Sequence, residues 1–244
     1  MFPAASILVP AILFLATVIR SSFGFGEALI AVPLLALLIP VKVAAPIAVL
    51  VSVTVALIVV VQDWSKVYAR SAARLVLPTM LGIPLGLMLV KAGAEPVVKG
   101  TLACVIIIFS MYSLLARRRR ELRDDKLAWL FGFGAGILGG AYGMNGPPLV
   151  VYGSLRKWSP QYFRATLQGY FLPASAAGMW AYWLAGLWTP AVSRFYVMSL
   201  PFVILATLLG RAINRRIAPD RFVQYIHVGL IATGLILLSQ GITG

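Results

Sequence analysis

Acidic residues are scarce in this chain: seven among 244, against 21 lysines and arginines. Cysteine and histidine occur once each, as Cys104 and His227. One cysteine excludes a disulfide framework, and no Cys/His metal-ligand cluster can be assembled from single copies. His227 lies in an apolar segment and reads as a packed or hydrogen-bonded residue, not a catalytic base. No Walker motif is present, so direct ATP binding is not expected. The first apolar run has no basic segment before it and leads into a glycine motif rather than a small-residue cleavage site, so no cleavable signal peptide is expected. No cofactor, metal site or enzymatic activity is predicted.

Charge of either sign is sparse too. Charged residues make up 11% of the chain, against about 25% in a soluble domain. Hydrophobic residues make up 61%, and mean hydropathy is +0.93. The composition predicts an all-α polytopic membrane protein with roughly eight to ten membrane segments. A net charge of +14 would suggest nucleic acid in a soluble protein. Here the basic residues sit in short loops between apolar runs, where they read as topology, and no nucleic-acid partner is expected.

Ten apolar segments divide into two sets of five. They cover 3–19, 28–39, 43–61, 75–90 and 101–116, then 127–141, 147–155, 166–185, 195–210 and 222–240. The second of each set is short, at 12 and 9 residues. At about 1.5 Å per residue neither crosses a core about 30 Å thick. Landmarks recur between the sets: Pro40-Val41-Lys42 with Pro160-Gln161-Tyr162, Trp64 with Trp188, and Gly82 and Gly86 with Ala206 and Gly210. The last pairing has the small-xxx-small spacing that lets helices approach closely. The chain is therefore divided into a first transmembrane repeat (1–116), a basic cytoplasmic linker (117–126) and a second repeat (127–244).

Orientation follows from the lysines and arginines. If the first two segments of each set together reverse the chain, seventeen of the 21 fall on one side, leaving Lys42, Lys91, Lys99 and Arg194 on the other. If they form one broken pass, the sides tie. The positive-inside rule selects the first arrangement. It places both termini in the periplasm, makes the repeats inverted, and suits alternating access. It leaves open whether each short hairpin spans or is re-entrant.

The two breaks are the chemically unusual part. Arg20-Ser21-Ser22-Phe23-Gly24-Phe25-Gly26-Glu27 and Gly139-Gly140-Ala141-Tyr142-Gly143-Met144-Asn145-Gly146-Pro147-Pro148 superpose at an offset of 119 residues. Paired glycine-rich interruptions in corresponding places point to a transporter's binding site. Glycine lets the backbone leave the helix, and a restarting helix offers unpaired N–H groups and the positive end of its dipole to an anion. Arg20 adds a fork of donors suited to carboxylate, sulfite or sulfonate oxygens. Ser21, Ser22 and Asn145 offer neutral hydrogen bonds, and Gln168, four residues after Arg164 on one helix face, is a further contact candidate. Candidate substrate-binding residues are thus Arg20, Ser21, Ser22, Gly24, Phe25, Gly26, Tyr142, Gly143, Asn145, Gly146 and Gln168. Phe23, Tyr170, Trp180 and Tyr182 are candidates to wall or gate the cavity. Glu27 is the only acid inside an apolar stretch. Two roles compete for it: a structural counter-charge to Arg20, or a proton carrier coupling flux to a proton gradient.

The motif Phe23-Gly24-Phe25-Gly26-Glu27, the run Leu29-Ile30-Ala31-Val32-Pro33-Leu34, the echo Gly139 to Pro148 and the stretch Arg164-Ala165-Thr166 resemble the sulfite exporter TauE/SafE family, also called the toluene sulfonate uptake permease family. The resemblance covers nearly the whole chain. It implies movement of small organosulfur anions, such as sulfite, sulfoacetate and other sulfonates, across the bacterial inner membrane, usually as export. Family members tend to carry more glycines at both breaks, where Glu27 and Asn145 stand here. The alternatives are an anion channel with a fixed pore, a carboxylate transporter, a membrane-embedded enzyme, which the lack of His, Cys and metal ligands disfavours, and a scaffold protein, for which polar breaks at membrane depth would be wasteful.

Overall fold

The computed structural model describes residues 3–63, 68–115, 122, 124–158, 160–214, 228 and 230–239, with the side chains of 3, 4, 62, 63, 160, 161, 164 and 214 excepted. Trp64, His227, most of the basic linker and the Arg164 side chain lie outside the described residues. Those described form ten α-helices and no strand. They are α1 (Pro3–Phe23), α2 (Glu27–Ala36), α3 (Val41–Asp63), α4 (Ala69–Ala92), α5 (Glu95–Leu115), α6 (Ala128–Tyr142), α7 (Gly146–Leu155), α8 (Pro160–Leu184) and α9 (Pro190–Asn214), then α10 (Leu230–Ser239). Five of them, α1, α3, α4, α5 and α9, are long and apolar enough to cross a membrane. The protein is an all-α, polytopic membrane protein.

Several helices extend past the apolar runs that announce them. α4 begins at Ala69 rather than 75, α5 at Glu95 rather than 101, and α9 at Pro190 rather than 195. The added turns carry Arg70, Arg74, Glu95, Lys99 and Arg194, which hydropathy alone reads as loop. The helix continues there because charged side chains at a helix end find partners beyond the apolar run, Arg74 pairing with Asp125 and Glu95 accepting from the Val41 N–H.

The helices pair in a crossed pattern: α1 lies along α9, α4 along α6, and α3 against α8. The α4–α6 contact is made by glycine. A Cβ on Gly82 or Gly86 would collide with backbone of Phe133 to Ala141, and one on Gly132, Gly136 or Gly140 with the backbone of Leu75, Thr79 or Ile83. The two backbones therefore touch along parallel helices, and Thr79 Oγ1 donates to Gly132 O across the seam at 2.8 Å. In α9, Gly210 lies against Val18 O and Ser21 of α1. Val18 is 119 residues before Ile137, whose carbonyl faces Gly86.

α6 and α7 form a hairpin. The Leu122 N–H donates to Leu155 O at 2.8 Å, and Arg156 Nη1 donates to Leu122 O at 2.8 Å. The chain entering α6 thus meets the chain leaving α7. Their 15 and 10 residues measure about 22 and 15 Å, each short of a core about 30 Å thick. α3 is the innermost span, with 72% of its apolar window buried against 28% in α9.

Candidate functional site

The two breaks share their helix ends and first turn but part at the restart, where Gly26 holds φ at 99° and its mate Asn145 at −75°. α1 ends at Phe23 and α6 at Tyr142; α2 starts at Glu27 and α7 at Gly146. Both pairs keep the 119-residue offset. Gly24 and Gly143 both turn through positive φ, at 88° and 65°. Their N–H groups close equivalent turns, Gly24 to Arg20 O at 2.6 Å and Gly143 to Gly139 O at 2.9 Å. A side chain at either position would hold a left-handed backbone, which costs about 1–2 kcal/mol. At Gly143 a Cβ would also lie 2.8 Å from Ala45 O. Gly143→Ala should therefore lower stability by more than the conformational cost, read as a drop in thermal midpoint of the detergent-solubilised protein.

Neither restarting helix receives a side-chain cap, at Gly26 or at Asn145. The donors are not equal, however. α2 opens with Glu27, Ala28 and Leu29, whereas Pro147 and Pro148 deprive α7 of two N–H groups.

Arg20 lies at the centre, 3% exposed, with Glu27 at 2%. The guanidinium pairs with the Glu27 carboxylate through Nη1. It also donates to Ser52 Oγ at 2.9 Å from Nη1 and to Gln168 Oε1 at 3.0 Å from Nη2. Its face stacks on Phe171, 4.9 Å from the ring centre. Thr17 Oγ1 donates to the second carboxylate oxygen at 3.1 Å. Gln168 Nε2 holds Gly24 O at 2.8 Å, so α8 grips both the arginine and the break beside it. Ser52 and Ser175 hydroxyls meet at 2.9 Å and tie α3 to α8. Arg20 Nε alone has no partner among the described residues.

A cavity of about 20 Å³ lies between the breaks, lined by both helix N-termini together with Arg20, Glu27, Ser52 and Phe171. That is space for about one water molecule. Arg20 is the sole cationic lining residue among those described. In the second repeat its place falls on Gly139, where a Cβ would lie 2.6 Å from Asn145 Nδ2. Asn145 thus fills the room that a second arginine would need.

The family model of the sulfite exporter TauE/SafE matches residues 9–237. The chain belongs to the sulfite exporter TauE/SafE family. Membership makes it a membrane transport protein, as the resemblance of its two breaks implied. No curated protein and no solved structure matches it.

In this TauE/SafE chain, seven of the expected residues line the cavity: Arg20, Phe25, Gly26, Glu27, Gly143, Asn145 and Gly146. Five do not. Ser21 packs against Gly210, and Ser22 Oγ donates to Val18 O at 2.7 Å and to Gly210 O at 3.3 Å, so both serve the α1–α9 seam. Gly24 presents its carbonyl to Gln168, which reaches the site through Arg20. The Tyr142 hydroxyl turns away to Thr101 and the Val98 carbonyl in α5. Among the aromatic candidates, Tyr170 bonds Thr79 at 2.7 Å and Tyr182 donates to Gly140 O at 2.7 Å. Both hold backbone seams. Trp180 is 59% exposed and stacks near Trp183.

Ser52, Phe171, Ser175 and Thr17 were not expected. Ser52 carried a signal, since Ser52 and Thr54 are the only polar side chains from 43 to 61. Phe171 is its repeat mate at the same 119-residue offset, and the two flank one guanidinium.

Proposed function

We propose that the protein is a secondary transporter of a small organosulfur anion (sulfite, sulfoacetate or a related sulfonate), coupled to protons and working by alternating access around Arg20. The observation that carries this reading is the Arg20–Glu27 pair beside two uncapped helix N-termini. The pair is neutral, and no other charged residue among those described lines the cavity. An entering anion would add an uncompensated buried charge, which costs several kcal/mol. A proton on Glu27 cancels that charge and frees the Arg20 fork together. Glu27 thus stands where the anion goes, and anion and proton enter as a unit. The sulfur in the assignment comes from the family.

The crossed pairing of α1 with α9 and α4 with α6, the matched turns at Gly24 and Gly143 and the matched contacts of Gly86 and Gly210 support two inverted repeats, 1–116 and 127–244, joined by a basic linker. Alternating access follows when two such halves exchange conformations. The arginine-rich end is assigned to the cytoplasm and both termini to the periplasm of a bacterial inner membrane, with export as the direction.

The test is uptake of labelled sulfite and sulfoacetate into liposomes, with and without an imposed proton gradient. Saturable, gradient-driven uptake is expected. Non-saturating flux would indicate a fixed-pore channel instead. Glu27→Gln should retain binding and lose its pH dependence. A pH profile unchanged from wild type would return Glu27 to a purely structural partnership.

A further inference from the structure

A line of aromatic rings leads from the cavity to one end of the molecule. Phe25 lines the cavity and meets Phe163 edge-on at 6.1 Å. Phe163 meets Trp158 at 6.4 Å. Trp158 meets Tyr68 at 6.4 Å and Tyr152 at 5.6 Å. Tyr68, 44% exposed, reaches the surface. These rings come from the first break, the α3–α4 connection, α7, the α7–α8 connection and α8, so the line draws on both halves.

The turn that aims Trp158 is strained. Lys157 holds φ at 49°, the one non-glycine residue with positive φ among those described. Its N–H donates to Ser154 O and that of Trp158 to Gly153 O, each at 3.2 Å. This is the paired-bond ending of a helix that normally takes glycine at the left-handed position. Non-glycine strain persists only where the surroundings fix it. Gly153 allows the fit, because a Cβ there would lie 2.6 Å from the Phe163 ring.

Asp125 braces the helix end that carries this turn. One carboxylate oxygen accepts from Tyr152 at 2.6 Å and lies 3.2 Å from Arg156 Nε. The other accepts from Arg74 Nη1 of α4 at 2.8 Å. The carboxylate is half of a three-point clasp that binds the end of α7 to the start of α4. Tyr152 belongs to both the clasp and the ring cluster. We propose that Asp125 is a positioning residue for transport, a latch holding the Phe25–Phe163–Trp158 plug shut toward the arginine-rich end. Releasing the clasp lets α7 swing from α4 and opens the cavity on that side alone. This inference rests on the cavity being the transport site.

The test is the labelling rate of a cavity cysteine, which does not require the substrate to be known. Gly146 lines the cavity, and a Cβ there would meet nothing within 4 Å. Gly146→Cys is made in a Cys104→Ala background, and a membrane-impermeant anionic methanethiosulfonate is applied to each face of sealed vesicles in turn. With Asp125 intact the rate from the arginine-rich face should be low. Asp125→Ala and Trp158→Ala should each raise it at least tenfold from that face and not from the other, and Asp125→Glu should keep it low. A general loosening would raise both faces equally and would overturn the latch, as would unchanged labelling in both variants. Loss of sulfite uptake with the one-sided labelling intact would fail the substrate reading and leave the latch standing.

Discussion

In liposomes carrying Arg20→Ala/Glu27→Gln, saturable sulfite or sulfoacetate uptake falls by at least about a hundredfold. A hydrogen bond to a charged group is worth about 1.5–3 kcal/mol, and the Arg20 fork can supply two to one oxyanion. Each 1.4 kcal/mol is about a factor of ten in affinity. The double variant is the informative one because of the buried pair. Arg20→Ala alone leaves Glu27 buried and unpaired, which costs about 3–5 kcal/mol of stability and would mix a folding defect into the transport result. Removing the carboxylate's charge as well separates the two. Anion binding of wild-type strength in folded double variant, by equilibrium dialysis with labelled sulfite, would take Arg20 out of the site.

Gly86→Val should largely abolish recovery of folded protein, measured as the monodisperse fraction in detergent and its thermal midpoint. The collision is with the Ile137 carbonyl of the facing backbone, which cannot rotate aside as a side chain can. The cost exceeds the roughly 1–3 kcal/mol of ordinary overpacking, because α4 and α6 would have to separate along their whole glycine seam. Gly210→Val, placed against Val18 O at 2.7 Å, should do the same to the α1–α9 seam. Gly100→Ala is the control. Nothing lies within 4 Å of its Cβ, and alanine in a helix interior gains about 0.5–1 kcal/mol over glycine. A Gly86→Val protein that melts with the wild type would disprove the backbone contact.

Much of the architecture was legible from the chain because membrane helices announce themselves. Apolar runs without charge had to be helical, since the bilayer offers the backbone no other partner. The two breaks were legible because glycine and proline at corresponding places mark where a helix stops and restarts. The structure kept the 119-residue offset through both. Helix ends were less legible, since the amphipathic turns at Ala69 and Glu95 lack an apolar signature.

The partners of the break residues were not legible. Ser21 and Ser22 stand beside Arg20 in sequence, but a helix turns about 100° per residue, so its neighbours face α9 instead of the cavity. The sequence by itself determined the helices, the two breaks and the presence there of one arginine and one acid. Only the tertiary structure decided that this acid neutralises this arginine, that Ser52 and Gln168 complete its shell from α3 and α8, and that Asp125 clasps α7 to α4. Those contacts join residues 7 to 148 positions apart. Local pattern fixes which face of each helix is polar; which faces meet is set by how closely glycine seams allow the backbones to pack.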